Sequence, residues 1–495
     1  MLQGLLSFKG PFRILNLSWF AFFLTFIVWF NYAPFSTTVQ QDLGLTIGQA
    51  RIISLCNLAL TIPASIIIGM LLDRFGPRIT FSSILVYAAF PTLAFACAQD
   101  FNQLVLSRLA MGIVGSGFVV GIRLVTEWFP PEEIGFAQGI YAGWGNFGSF
   151  AAEAVLPSIA AATAFLSVGE TNWRLTIALT GIVAAIFGVI FYCNVQDTPP
   201  GKVYQRPARN GAMEVTSAQS FWALLLANIP LFGALALIVW RLQKANFLTT
   251  NIMYGIWAGL IALYLIQAYK TWEVNREVVT GQKDYPTQQR YQISQVFVLQ
   301  LAYAVTFGSE IAVVSMLPEF FENTFNLNQA IAGPIAAMFP LMNLISRPTG
   351  GLISDKIGSR KWTLTFLIAG VALGYLILSQ ITANWPLPVV IVTIMLCAFF
   401  VFGAAGATFG IVSLIKREVT GQIAGNVGAY GSIGAVTYAT FYSFLPQEIA
   451  GNHTFFQVLG GAAAIVCLLC VLILKEPKTS ESEELADTAM LVVNS

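Results

Sequence analysis

The chain has 495 residues, of which 56% are A, V, I, L, M, F, W, Y or C and only 10% are Asp, Glu, Lys or Arg. An average soluble domain is about 25% charged, so a mean hydropathy of +0.72 excludes a soluble globule and a disordered chain. The composition specifies an all-α polytopic membrane protein. A net charge of +1 with no basic run argues against a nucleic-acid partner. The single histidine, His453, leaves no His-based metal site or catalytic triad. No cofactor, no metal and no enzymatic activity are expected. The six cysteines lie in or beside apolar stretches and suit packing.

A spanning helix needs about 20 mostly apolar residues. Stretches of that kind fall at about 14–36, 50–72, 79–98, 103–125, 134–158 and 174–195. A polar stretch, 196–217, precedes two further apolar segments at about 218–240 and 249–269. After a charged stretch, 270–291, six more follow at about 292–317, 331–354, 362–381, 387–411, 421–445 and 455–474. The expected organisation is a six-helix half, 1–195, and a central cytoplasmic region with an extra hydrophobic hairpin, 196–291. A second six-helix half, 292–474, and a disordered cytoplasmic tail, 475–495, complete it. With both ends inside, 18 of the 25 Lys and Arg are expected on the cytoplasmic side or at helix ends, the exceptions being Arg51, Arg108, Arg123, Arg174, Arg241, Lys244 and Arg347. Arg241 and Lys244 lie between the two central segments. Those segments are either two extra spans or a re-entrant pair.

The chain repeats itself. Gly69, Asp73, Arg74, Gly76 and Arg78 recur 282 residues later as Gly351, Asp355, Lys356, Gly358 and Arg360. Gly145 and Gly148 recur 286 residues later as Gly431 and Gly434. Two in-register matches imply parallel repeats, an arrangement found in transporters. Asp73, Arg74, Arg78, Asp355, Lys356 and Arg360 form a candidate conformational latch, each Asp capping a helix end and pairing with a base across the half-interface. The glycines Gly143, Gly145, Gly148, Gly428, Gly431 and Gly434 give small faces for close packing.

Arg347 lies eight residues before Asp355, about 12 Å from the cytoplasmic end at 1.5 Å per residue. A guanidinium at that depth needs an acceptor or a water-filled cavity. Its planar fork suits a small planar oxyanion, although an internal ion pair would also hold it. Phe118, Tyr303, Phe307, Asn146 and Ser432 lie at similar depth. Glu153 and Glu310 fall toward the outer ends of their segments, as interfacial or structural groups or as proton relays. Arg123 and Glu127 can pair on one helix face.

The repeated loops Gly69–Arg78 and Gly351–Arg360 resemble the signature of the major facilitator superfamily. Ala142–Gly148, Gly428–Gly434, Thr306–Glu310 and Trp128–Pro131 resemble motifs of its nitrate/nitrite porter family, the cyanobacterial permeases above all. The resemblance implies secondary active transport of nitrate and nitrite, by proton symport or by nitrate/nitrite exchange, in a multi-pass monomer in the inner or plasma membrane. It implies substrate contacts at Arg347, Phe118, Phe307, Tyr303 and Asn146.

Two residues depart from the family. A second anion-binding arginine falls at position 65, where this chain has Ser65, and no other Arg or Lys lies between Arg51 and Arg74. Each cation–anion contact at ~4 Å is worth about 4 kcal/mol before desolvation, and a serine hydroxyl about 1. Ser432 also stands where the family motif has Asn. Ser65 implies weakened binding, an altered solute (another small anion or a neutral molecule) or an impaired variant. A membrane sensor is a further alternative, but no segment is long enough for a signalling domain.

Overall fold

The computed structural model describes residues 2–5, 7–166, 172–207, 212–244, 247–285, 292–446 and 449–477. The acidic run expected in the tail lies outside them. Fourteen long helices occur among the described residues: α1 (Gly10–Phe30), α2 (Ile47–Phe75), α3 (Pro77–Tyr87 continuing as Ala89–Cys97), α4 (Phe101–Gly112 and Phe118–Trp128 around a 3-10 turn, Ile113–Gly117), α5 (Ile134–Ala162) and α6 (Trp173–Asn194) come first. Next come α7 (Ala218–Lys244) and α8 (Thr250–Val279). The last six are α9 (Ile293–Phe325), α10 (Gln329–Leu341 and Asn343–Ile357), α11 (Arg360–Leu378), α12 (Leu387–Ile415), α13 (Thr420–Tyr442) and α14 (Ile449–Leu472).

Local chemistry sets the helix ends. Thr46 and Gln49 form a capping box at α2, and Asp100, Asn172 and Asn328 accept from the third amide of α4, α6 and α10. Gly76 (φ 89°) and Gly358 (φ 70°) occupy the same place in the two repeats. Each makes the tight turn out of α2 or α10 in a backbone region closed to most side chains.

Among the described residues, eleven helices are long and apolar enough to cross a membrane by length and composition. Those outside that set are α5, α10 and α13, which are richer in glycine and polar residues or broken by proline, and which pack at the centre. The repeat governs the packing. In the first half α1 packs on α5, α2 on α4 and α3 on α6; in the second α9 packs on α13, α10 on α12 and α11 on α14. The halves meet through the matching pairs α2–α13 and α5–α10.

The central region differs in detail from expectation. The charged stretch 270–291 is helical through Val279, because polar residues beyond the apolar run do not stop a helix. α7 and α8 form an antiparallel pair: Asn275 bonds the backbone of Met213 and Val215, Tyr264 donates to Leu225 O, and Trp257 donates to Ala236 O. α7 runs along α13, with Tyr430 donating to Ala227 O and Arg241 reaching Thr440. Exposed Ile252, Ile261, Leu263, Leu265 and Ile266 give α8 an apolar outer face.

Candidate functional site

The two repeated aspartates end α2 and α10 at the junction of the halves. Asp73 accepts from the amides of Gly421 (2.9 Å) and Gln422 (2.8 Å) at the start of α13. Asp355 accepts from Gly135 (3.0 Å) and Phe136 (2.7 Å) at the start of α5. Each carboxylate therefore caps a helix of the opposite half, where the helix dipole favours negative charge. The expected cross-interface pairing with bases is corrected here. Arg74 and Lys356 are exposed, Arg74 lying against Phe75. Arg78 donates to Tyr192 O within its own half. Arg360 pairs with Asp355 of its own half at 2.8 Å and reaches across only to the carbonyl of Pro131. Across the interface each Asp meets backbone amides, not bases.

On the same face, Glu127 gathers three cations: Arg123 at 2.9 Å, Arg417 of the second half at 3.2 Å and Lys202 of the linker at 3.5 Å. The linker is drawn in further, since Tyr204 donates to Leu72 O and covers the Arg123 guanidinium. Burial holds the Lys202 ammonium below its ordinary range, with Arg417 pushing the same way and Glu127 opposing.

Small residues let the halves touch. A Cβ on Gly351 would collide with the Gly135 backbone, one on Gly69 with Gly421, one on Gly425 with the Ser65 carbonyl and one on Gly139 with the Arg347 carbonyl. Gly143 lies against Asn343 and the Arg347 Cβ. Gly145 and Gly148 instead face Phe22, Phe23 and Phe26 of α1, and Gly434 faces α9, so these three serve packing inside each half.

Deeper in, aromatic rings from both halves form one stack. Phe118 faces Tyr303 at 6.2 Å and 22°, and Tyr303 faces Phe307 at 5.2 Å and 7°. Phe409 of α12, which the sequence reading did not single out, meets both Phe118 (5.7 Å) and Tyr303 (4.8 Å) edge-on. Gly428 and Gly431 give these rings room: a Cβ on the first would enter Phe118, and on the second would press on Tyr303 and Phe307.

Arg347 is 1% exposed. Its Nη2 donates to Glu310 Oε2 at 2.9 Å and its Nε to Asn343 Oδ1 at 2.7 Å, while Asn343 Nδ2 donates to Glu310 Oε1 at 3.0 Å. Of the two settings considered, an acceptor and not a water-filled cavity holds the guanidinium. Glu310 is correspondingly relocated: it is 5% exposed and level with Arg347, not toward the outer end. The Tyr303 hydroxyl lies beside the same guanidinium. Asn146 is buried with an Oδ1 that accepts no hydrogen bond, and Ser432 is buried on α13. Ser65 is fully buried and donates to Thr61 O at 2.8 Å.

Comparison with known proteins places this geometry. The family model of the Major Facilitator Superfamily matches residues 18–272 and 299–492. The chain is 56% identical to the nitrate/nitrite transporter NrtP of Nostoc punctiforme, over 97% of this chain and 95% of that one. It is 52% identical to a protein of the same name from Picosynechococcus, over 98% and 96%. Rice high-affinity nitrate transporter 2.3 is 26% identical, over 96% of this chain and 80% of that one. Among solved structures, the proton:xylose symporter XylE shares the fold with a TM-score of 0.61 at 15% identity, over 96% of this chain and 98% of that one. The human organic anion transporter MFSD10 does so at 0.62 and 13%, over 93% and 100%. The chain is a multi-pass membrane protein, not an enzyme, and belongs to the nitrate/nitrite porter family of the major facilitator superfamily.

Proposed function

We propose that the chain moves nitrate and nitrite across the cell membrane by alternating access, as a monomer with both termini on the cytoplasmic side. In this reading α7 and α8 cross the bilayer as an added hairpin. The observation that carries it is one buried guanidinium, Arg347, at the junction of two pseudo-symmetric halves and beside a stack of rings contributed by both. A guanidinium recognises planar oxyanions by parallel N–H donation. Flanking rings restrict a small planar ion from above and below. Arg347, Phe118, Phe307, Tyr303, Asn146 and Ser432 form the binding site in this reading, and the Asp73 and Asp355 caps are the latch that holds one side shut. Proton symport and nitrate/nitrite exchange both fit such a cycle.

Ser65 favours a second reading, of transport restricted to another small anion or a neutral solute, or of weak nitrate binding. Its hydroxyl is already engaged by the α2 backbone and it brings no charge. Flux into proteoliposomes across a panel of nitrate, nitrite, other small anions and neutral solutes decides between the two. Saturable nitrate or nitrite uptake that Arg347→Lys abolishes is the expected result. Uptake of a neutral solute alone would overturn the proposal.

A further inference from the structure

The ring of hydrogen bonds joining Glu310, Arg347 and Asn343 is closed. Both carboxylate oxygens are occupied, and the Nε and one terminal nitrogen of the guanidinium fork are spent inside the protein. An oxyanion arriving at Arg347 would find those donors taken and a negative carboxylate within bonding distance. The other titratable groups around Glu310 are phenols: Tyr303 on α9 and Tyr375 on α11, the latter donating to Ser309 Oγ. Cys397 on α12 and Tyr438 on α13 lie near Tyr375, and Tyr141 on α5 faces Tyr303. Among the described residues no second cation joins them: Ser65 stands at the repeat position of Arg347 on α2, and its hydroxyl is bonded to Thr61.

The site therefore carries no net charge while Glu310 is ionised, and an anion added to it would leave an uncompensated negative charge in a buried setting, which is costly. The geometry points to Glu310 as the proton-carrying group of the transport cycle, taking up one proton as the anion displaces its carboxylate from Arg347. The charges balance. A proton from the aqueous phase bonds to a Glu310 oxygen and takes that side chain from −1 to 0. Arg347 stays at +1 and the anion brings −1, so the site is neutral before and after. The freed fork binds the anion, and the protonated carboxyl becomes an O–H donor toward it. On the far side the anion leaves, the proton leaves with it, and the Glu310–Arg347 pair re-forms. One proton accompanies one anion, and no net charge crosses.

This assignment rests on the nitrate/nitrite reading of the same site and deepens it to proton symport. The test uses the full chain in detergent and in proteoliposomes, with nitrate as the probe, from pH 5.5 to 8.5. In the wild type, apparent nitrate affinity falls about tenfold per pH unit on the alkaline side, as one linked proton requires, and a proton gradient alone drives accumulation. Glu310→Gln, which keeps the shape without the charge, makes affinity independent of pH and retains nitrate exchange without accumulation. Ser65→Arg leaves Glu310 in place, adds a second cation and also flattens the pH dependence. Either variant keeping the wild-type slope overturns the assignment, as does a wild type that exchanges nitrate with an affinity flat in pH, which leaves the transport reading standing. A wild type that moves neither nitrate nor nitrite under any gradient removes both.

Discussion

Asp73 sets its two carboxylate oxygens on consecutive backbone amides of the opposite half, those of Gly421 and Gln422, and Asp355 repeats the arrangement on Gly135 and Phe136. Each junction consists of two charge-assisted hydrogen bonds to a helix start. Replacing Asp73 by Asn removes the charge and turns one acceptor into a donor facing an amide, at a cost of about 1–3 kcal/mol. The expected outcome is a wider separation on that face. Spin labels at positions 74 and 418 would report longer distances in Asp73→Asn, and labels at 132 and 356 in Asp355→Asn. Unchanged distances would show that the caps do not hold the halves together.

Arg347 and Glu310 form a buried ion pair, and breaking it should cost stability. Arg347→Met strands a buried carboxylate, and breaking one side of such a pair costs about 3–5 kcal/mol. Adding Glu310→Gln removes the stranded charge. The double variant should therefore melt above Arg347→Met alone when followed by thermal unfolding in detergent, while remaining unable to bind nitrate. A double variant less stable than the single would contradict the pairing.

Gly428 is open to a sharper steric test. A methyl there would occupy the space of the Phe118 ring, and overpacking of this kind costs about 1–3 kcal/mol. Gly428→Ala should fold but displace Phe118 from Tyr303, and nitrate uptake should fall at least as far as in Phe118→Ala. Gly461→Ala, where an added Cβ meets nothing within 4 Å, is the matching control and should transport normally.

The linker offers a fourth test. Tyr204→Phe loses one hydrogen bond, to Leu72 O, worth about 1 kcal/mol. Glu127→Gln leaves Arg123, Arg417 and Lys202 without their shared carboxylate. Both should loosen the segment around Lys202 and Arg206 and speed its cleavage by trypsin, Glu127→Gln by more. Cleavage at the wild-type rate would mean that these contacts do not secure the linker.

Much of this was legible in the residues. The repeated Gly–Asp–basic–Gly–Arg loops foretold both the pseudo-symmetric packing and the equivalent turns at Gly76 and Gly358. The pairing of Arg123 with Glu127 followed from helical spacing. Glu310 was misplaced because hydropathy put the end of its segment near residue 317, whereas α9 continues to Phe325, which moves its midpoint onto Ser309 and Glu310. Phe409 gave no signal, being one phenylalanine among 39 in an apolar helix. The partners of Asp73 and Asp355 could not be read from side chains at all, because they are backbone amides supplied by a helix hundreds of residues away.

The tip of the α7–α8 pair touches both halves at the end opposite the aspartate caps. Phe247 meets Phe101 of the first half edge-on at 5.4 Å, while Arg241 reaches Thr440 of the second. The insertion thus bridges the two halves at that rim, and any parting of them there would have to break the Phe247–Phe101 contact or the Arg241–Thr440 bond.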